Sequence, residues 1–442
     1  MAATTTISRR APAASRERPE ATFARGVYVF DRDGRRYLDG CSGAVVANIG
    51  HGVPEVLRAM RRQADRCTFA YRTQFANAPA SRLERRLADL APGDLDAVTL
   101  VNSGSEANEA AIRTALCFWT ARGQPGKHMV VARRTSYHGM TLGALSASGH
   151  PDRRVGLHGA LIAGPKTASP YHCSPGGGPQ RARCVETAIT ELGADRVAAV
   201  IAEPVVGAAG GAIVAPEGYW AELRRICDRQ DVLLIADEVM TGLGRTGAWF
   251  ASARESVVAD LVTVGKGMSA GYAPMAALIA RRPIADVVDA AGGVFGHTYS
   301  ANPVGAAACL AVLDYLERHD VVCKVADRGA AVRAGLHELA ARHRCIADVR
   351  GEGLLLGLEL AADRKHSRRF AKELGAAQHL VDAAFSRGLL LYPAGTDECP
   401  DAVLVTPPLV IQPEEITELL GLLDLALGDF EQLDDIRQAM GA

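Results

Sequence analysis

The sequence predicts an α/β protein, with a mainly parallel sheet covered by helices in a large domain and a smaller α+β domain beside it. Six short apolar runs carry most of that prediction: Val98–Val101, Met129–Ala132, Val197–Ala202, Val232–Ala236, Leu261–Val264 and Met275–Ile279. Each is a continuous, largely apolar stretch rather than an alternating one, with a threonine in two of them, and helical patterns separate them, as expected of parallel strands covered on both faces. The second observation is that polar, chemically able residues follow directly after several of these runs, and the carboxyl ends of the strands are where such sheets place their sites. The third is size: 442 residues, 48% of them hydrophobic, suffice for one large and one smaller core.

Residues 1–24 read as a flexible tail, rich in Ala, Thr, Ser and Arg and poor in acids. The tail has no apolar h-region, which excludes a secretory signal. From Arg25 to Gly40, apolar and polar residues alternate around Asp33-Gly34, a hairpin signal. A helical pattern follows Glu55, and the segment 25–60 is expected to pack with the smaller domain. The large domain is expected over 61–302. It includes an amphipathic helix at Ser81–Leu90, and the Gly/Pro-rich stretch Ser169–Gly178 reads as a long surface loop. The smaller domain is expected over 303–442: a helix from Val304 to about Leu316, another helix, short strands around Val349–Leu360, a helix at Lys372–Ser386 and a strand at Val403–Thr406. No repeat of solenoid length is visible.

Forty-nine basic and fifty acidic residues leave a formal charge of −1, so no electrostatic footprint points to nucleic acid or anionic lipid. No apolar stretch of about 18 residues is free of charge and proline, so no membrane span is expected. Ten cysteines, without a C-x-x-C pair, read as buried reduced thiols rather than a disulfide framework or zinc site. His51, His138 and His297 lack metal-ligand spacing, and no metal is expected. The cytoplasm is the expected compartment.

Three motifs carry chemistry. In VTLVNSGSEANEAAIRTAL, Val98–Leu116, a strand runs through Asn102-Ser103-Gly104-Ser105 straight into a helix. Free N–H groups and hydroxyls at a helix N-terminus suit a phosphate; a plain helix cap, with Glu106 in the first turn, explains the same residues. In DVLLIADEVMTGLGRTG, Asp237 and Glu238 end a buried strand, where a carboxylate is costly unless a cation meets it. A protonated pyridine nitrogen is such a cation; a capping aspartate or a metal ligand is the alternative. In LVTVGKGMSAGYAP, Lys266 sits between two glycines at the end of another buried strand. A desolvated lysine is a good amine nucleophile for a carbonyl, and a snorkelling surface lysine is the bland alternative. An anion cradle, a buried Asp and a buried Lys together suit one cofactor, pyridoxal 5′-phosphate.

This combination resembles the class III (ω-amino-acid type) pyridoxal-phosphate-dependent aminotransferases, from about Gly26 to Glu415. The resemblance implies a fold type I transferase that moves an amino group between an amine or ω-amino compound and a keto acid by a ping-pong mechanism. It implies a Schiff-base and proton-transfer role for Lys266, and Asp237 as partner of the ring nitrogen. Ser103, Gly104 and Ser105 would form the phosphate cradle, Tyr137 would stack on the ring beside His138, Glu203 would lie by the ring hydroxyl, and Val239 would pack behind the ring. Thr298, in HTYSANP, would reach the phosphate of a neighbouring subunit, which implies a homodimer or larger assembly.

The sequence departs from named relatives in the expected substrate pocket. Met140 and Leu404 stand where ornithine-type enzymes carry carboxylate-gripping arginines, and Ala44 and Val45 stand where bulkier residues are usual. A neutral side chain cannot replace a guanidinium, so 4-aminobutyrate and ornithine are expected to be poor donors. GEGLLLG, Gly351–Gly357, does not have dinucleotide spacing; it resembles a small-domain strand, and Arg350 before it reads as structural. An aminomutase, epimerase or phospho-lyase on the same scaffold would carry the same Lys266, Asp237 and Tyr137. A nicotinamide oxidoreductase would need a G-x-G-x-x-G after a strand, which is absent.

Overall fold

The computed structural model describes residues 18–157, 159–162, 164–169, 177–293, 295–396 and 399–441. Most of the expected tail, and most of the expected loop at Ser169–Gly178, lie outside the described residues. Within the segment expected to be tail, Ala21–Arg25 forms strand β1 against β2 (Tyr28–Asp31). The hairpin is present: β2 pairs antiparallel with β3 (Arg36–Asp39), Phe30 opposite Arg36, and Gly34 in the turn takes φ 79°.

The large sheet is built from β4 (Leu95–Val101), β5 (Met129–Arg133), β6 (Lys166–Thr167), β7 (Val197–Ala202), β10 (Leu233–Asp237), β11 (Leu261–Val264) and β12 (Ala276–Arg281). A small ribbon of β8 (Val205–Val206) and β9 (Ile213–Val214) stands apart from it. Spatial order is β4-β12-β11-β10-β7-β5-β6. All neighbours pair in parallel except those of β12, which runs against both β11 and β4. Along β10, Leu234 and Ala236 enter one apolar cluster while Leu233 and Ile235 enter another, so the strand is buried on both faces. Burying each such large side chain contributes roughly 1.5–3 kcal/mol.

The remaining chain builds a second sheet of β13 (Ile346–Glu352), β14 (Leu355–Leu360), β16 (Tyr392–Thr396) and β17 (Cys399–Val405), in the order β13-β14-β17-β16. The short strand β15 (Leu389–Leu390) joins β3 in parallel, tying the N-terminal hairpin to this half. Val27, Leu38, Ile49 and Val56 share a core with Leu356, Leu358, Val403 and Val405. The helix Pro303–Arg318 divides its faces between the two large cores: Ala308, Val312 and Leu316 face one, Cys309, Leu310 and Leu313 the other. The expected helix at Lys372–Ser386 is broken, because Gly375 takes φ 60°; a 3₁₀ turn at Lys372–Leu374 precedes the α-helix Ala376–Ser386. Among the described residues no helix is long and apolar enough to cross a membrane.

Among the described residues, the expectation of uniformly buried cysteines is corrected at four positions, since Cys117 and Cys184 are half-buried and two more are exposed. Cys41, Cys227, Cys309 and Cys345 are buried, but Cys67 and Cys323 are exposed free thiols. Both lie on or at the end of polar helix faces, where a small thiol meets no core.

Candidate functional site

The sheet topology brings the three motifs together. β10 and β11 are adjacent and parallel, with Asp237 opposite Thr263, so Asp237 and the Lys266 turn leave the sheet at the same edge. The loops after β4, β5 and β7, which carry Ser103–Ser105, Tyr137–Met140 and Glu203, leave at that edge too.

Lys266 occupies a tight turn with φ 40°, a backbone state a side chain adopts only when its surroundings impose it. Its glycine neighbours show why. A Cβ on Gly267 would come 2.1 Å from Asn48 Nδ2, and one on Gly265 would press on Ala276 and Val239. Burial holds the Lys266 ammonium below the ordinary lysine range; Asp237 and Glu203 oppose that shift and Arg153 adds to it. Among the described residues its Nζ has no hydrogen-bonding or ion-pair partner.

Asp237 is buried and fixed from both sides. Its Oδ2 accepts from Asn108 Nδ2 at 2.8 Å and lies 2.7 Å from His138 Nδ1; its Oδ1 accepts from the Val239 N–H at 3.1 Å. Thr263 Oγ1 lies 3.4 Å from the same Oδ1 and donates to Asn108 Oδ1 at 2.9 Å. His138 is buried behind the aspartate, so the structure gives it an orienting position. Glu203 is buried, with Oε1 and Oε2 accepting from the N–H groups of Tyr137 (3.0 Å) and Gly207 (3.1 Å), and burial raises its carboxyl above the usual range. Glu238 faces away from this group and ties the Ala251–Ser252 backbone and Thr241 together.

The Gly/Ser turn serves both readings the sequence left open. Ser103 caps the helix Gly104–Ala121, its Oγ accepting from the Glu106 N–H at 3.2 Å. The N–H groups of Gly104 and Ser105 find no acceptor among the described residues, and these are the first donors of the helix. Gly104 packs on Val239: an added Cβ would sit 2.7 Å from Val239 Cγ1. Ser105 Oγ accepts from the Met140 N–H at 3.1 Å, and Gly139, at φ 136°, approaches so closely that a Cβ there would lie 2.5 Å from that Oγ. The cradle, Val239, Gly265 and the Tyr137 loop therefore form one packed unit.

These residues fit pyridoxal phosphate. Unpartnered helix N–H groups, an oriented buried carboxylate, a half-buried tyrosine ring and a desolvated lysine amine correspond to the anion, ring nitrogen, ring face and aldehyde of that group.

The other expected residues fall in two places. Val45 and Leu404 are fully buried in one cluster with Val205, Ala212 and Leu355, against which Met240 and Tyr392 pack; Ala44 and Met140 are exposed. Thr298 is exposed beside Tyr299, whose ring lies 6.0 Å from that of Phe69. Arg350 is structural, as read: it donates to the Gly210 and Gly211 carbonyls and pairs with Glu359.

Sequence reading missed Asn108, Thr263, Arg245 and Arg153. A lone Asn among alanines on a buried helix face was the available signal for Asn108. Arg245 is fully buried, donating to Leu354 O, Pro407 O, Ser42 Oγ and Asn48 Oδ1, and burial lowers its guanidinium to about 9. No spacing rule reveals it, because its partners come from distant parts of the chain.

The family model for class-III aminotransferases matches residues 13–427. The chain is 41% identical over 432 residues to the uncharacterized aminotransferase YodT of Bacillus subtilis, covering 95% of this chain and 97% of that protein. It is 35% identical over 415 residues to the putrescine–pyruvate aminotransferase of Pseudomonas aeruginosa, covering 91% and 88%. The solved structure of an amine transaminase from an uncultivated Pseudomonas species, in its PLP-bound form, matches with a TM-score of 0.88 at 32% identity, covering 95% of this chain and 97% of that one.

Proposed function

This chain belongs to the class III aminotransferases, enzymes that work with pyridoxal phosphate, and from that premise we propose that it passes an amino group from a carboxylate-free amine to a keto acid in two half-reactions at one site. The observation that carries the reading is the placement of a desolvated Lys266 and an oriented, buried Asp237 at the same ends of adjacent parallel strands. Bound pyridoxal phosphate supplies an aldehyde that takes up the amino group and a ring that draws electrons from the reacting carbon.

The chain's own residues do the rest. Lys266 would be the residue that holds the cofactor, and its Nζ the base that moves the proton at the amino-bearing carbon. Asp237 would meet the ring nitrogen, and Asn108, His138 and the Val239 N–H fix the angle of its carboxylate. The Gly104 and Ser105 N–H groups would hold the phosphate, with Tyr137, Val239 and Glu203 as the residues around the ring. Thr298 serves the partner subunit's phosphate, so the working unit is a homodimer. Its exposed position in a single chain supports this. The donor class rests on the P. aeruginosa relative's name and on the uncharged Met140, Leu404, Val45 and Ala44. The exposed free thiols of Cys67 and Cys323 favour a reducing compartment, and the cytoplasm is the proposed location.

The test is a donor panel with pyruvate as acceptor, following alanine formation, alongside borohydride reduction of the yellow protein. Wild type should form alanine from a diamine or monoamine and retain reduced cofactor on the Lys266 peptide; Lys266→Ala should do neither. A colourless protein that forms no alanine with added pyridoxal phosphate would refute the reading.

A further inference from the structure

Met140 and Leu404 leave the expected pocket walls without charge, yet a keto acid brings a carboxylate that needs a cation. Among the described residues, the Arg153 guanidinium stands beside those walls. Arg153 lies in the 3₁₀ turn Pro151–Arg154, with its Cζ 4.5 Å from the centre of the Tyr137 ring. Its Nη1 is 4.0 Å from Met140 Sδ and its Nη2 is 3.4 Å from Tyr392 Oη. Tyr392 in turn packs on the Val45–Leu404 cluster, so Arg153 bridges the two sides of the pocket. Its charge also reaches Lys266, adding to the burial that holds that ammonium down.

The partners of Arg153 are weak ones. A thioether and the phenols of Tyr392 and Tyr137 meet a fork that carries five donors, and among the described residues no carboxylate pairs with it. Its neighbours are otherwise engaged: Asp152 pairs with Lys372 and Arg154 donates to the Ser148 carbonyl. A half-buried guanidinium over an aromatic ring, whose partners among the described residues are all uncharged, is preorganised for bidentate carboxylate binding.

We propose that Arg153 is the residue that binds the carboxylate of the keto acid, and so sets the acceptor class as α-keto acids. The inference rests on the amino-transfer reading above and deepens it. It also accounts for how an acceptor carboxylate is held when Met140 and Leu404 are both uncharged.

The experiment compares pyruvate with butanal, an acceptor lacking the carboxylate, using one amine donor and the holoenzyme. In Arg153→Gln the ratio of kcat/KM for pyruvate to that for butanal should fall at least about tenfold, carried mainly by KM for pyruvate. Arg153→Lys, which keeps the charge and loses the fork, should fall between the two. In wild type, phenylglyoxal labelling mapped by mass spectrometry should mark Arg153, and butyrate should protect it. A ratio unchanged within about twofold, or labelling that butyrate leaves unaltered, would overturn the assignment. If wild type transfers an amino group to neither acceptor, the amino-transfer reading itself has failed; transfer to both with an Arg153-independent ratio sinks this inference alone.

Discussion

At the scale of single residues, the site is a set of opposed burial costs. Asp237 gives up water and regains hydrogen bonds from Asn108, His138 and Val239, leaving it oriented with its charge available. Asp237→Asn keeps the shape and removes the charge, so amino transfer should drop by several orders of magnitude with the fold intact. A mutant within about tenfold of wild type, roughly 1.4 kcal/mol of barrier, would mean the carboxylate is not the ring's partner. Lys266 gives a complementary test in the apoprotein. Its folded-state pKa is depressed by burial, so between that value and the unfolded lysine pKa of about 10.4 the unfolded chain binds the extra proton, and stability rises with pH through that window. Lys266→Met removes this term. The apo variant should melt above apo wild type near neutral pH, and the gap should close as pH approaches 10. Paired thermal melts at pH 7.5 and 10 check it; a gap that widens with pH would contradict the assigned direction. Activity and stability are thus expected to oppose each other at one side chain.

At the scale of elements, the cradle depends on glycines that let a helix, a strand end and a turn meet. Gly104 against Val239 is one such contact, where an added Cβ would lie 2.7 Å from Val239 Cγ1. Gly104→Ala should weaken cofactor binding about tenfold or more and cost about 1–3 kcal/mol, because the Cβ must displace Val239 or the helix start. Val239→Ala removes the obstructing methyls, so the double variant should recover much of the binding lost by Gly104→Ala. Cofactor titration of the four proteins measures the coupling, and strict additivity would show that the contact does not govern the cradle. The same element scale explains what was legible beforehand. Val197–Ala202 and Leu261–Val264 were readable to the residue, since short runs dominated by apolar, β-branched residues leave few other folds. The Gly-Lys-Gly turn was readable as a feature, although the reason Gly267 must lack a side chain is Asn48, far away in sequence. Arg153 and Arg245 were not readable: each acts through partners set by the return of the chain, and surface and site arginines look alike in a string of letters. β1 was missed because Ala21–Arg25 is exposed and carries no buried face to advertise itself.

At the scale of the whole molecule, a single chain leaves a surface it has reason to cover. Phe69, Tyr71, Phe75 and Tyr299 are exposed by 43%, 42%, 65% and 65%, a run of aromatics at a density unusual for free surface. They lie close to the residues proposed to serve the neighbour: Phe69 meets Tyr299, which follows Thr298 directly, and a Cβ on Gly296 would touch the guanidinium of Arg72. One face therefore joins apolar area, which drives association, to a hydroxyl proposed to act across the boundary. If that face is the dimer contact, breaking it should remove cofactor affinity and oligomeric state together. Phe75→Asp with Tyr299→Asp places two charges in the apolar patch, and its dimer should dissociate at concentrations where wild type remains associated. The cofactor should leave faster in that variant, with activity falling on dilution, while Thr298→Ala should weaken cofactor binding and leave the dimer whole. Sedimentation velocity with absorbance read at the cofactor band follows mass and cofactor in one run. Full activity in a sedimenting wild-type monomer would refute the shared site, and a double variant that becomes monomeric while holding its cofactor as wild type does would show that the aromatic face contributes only to assembly.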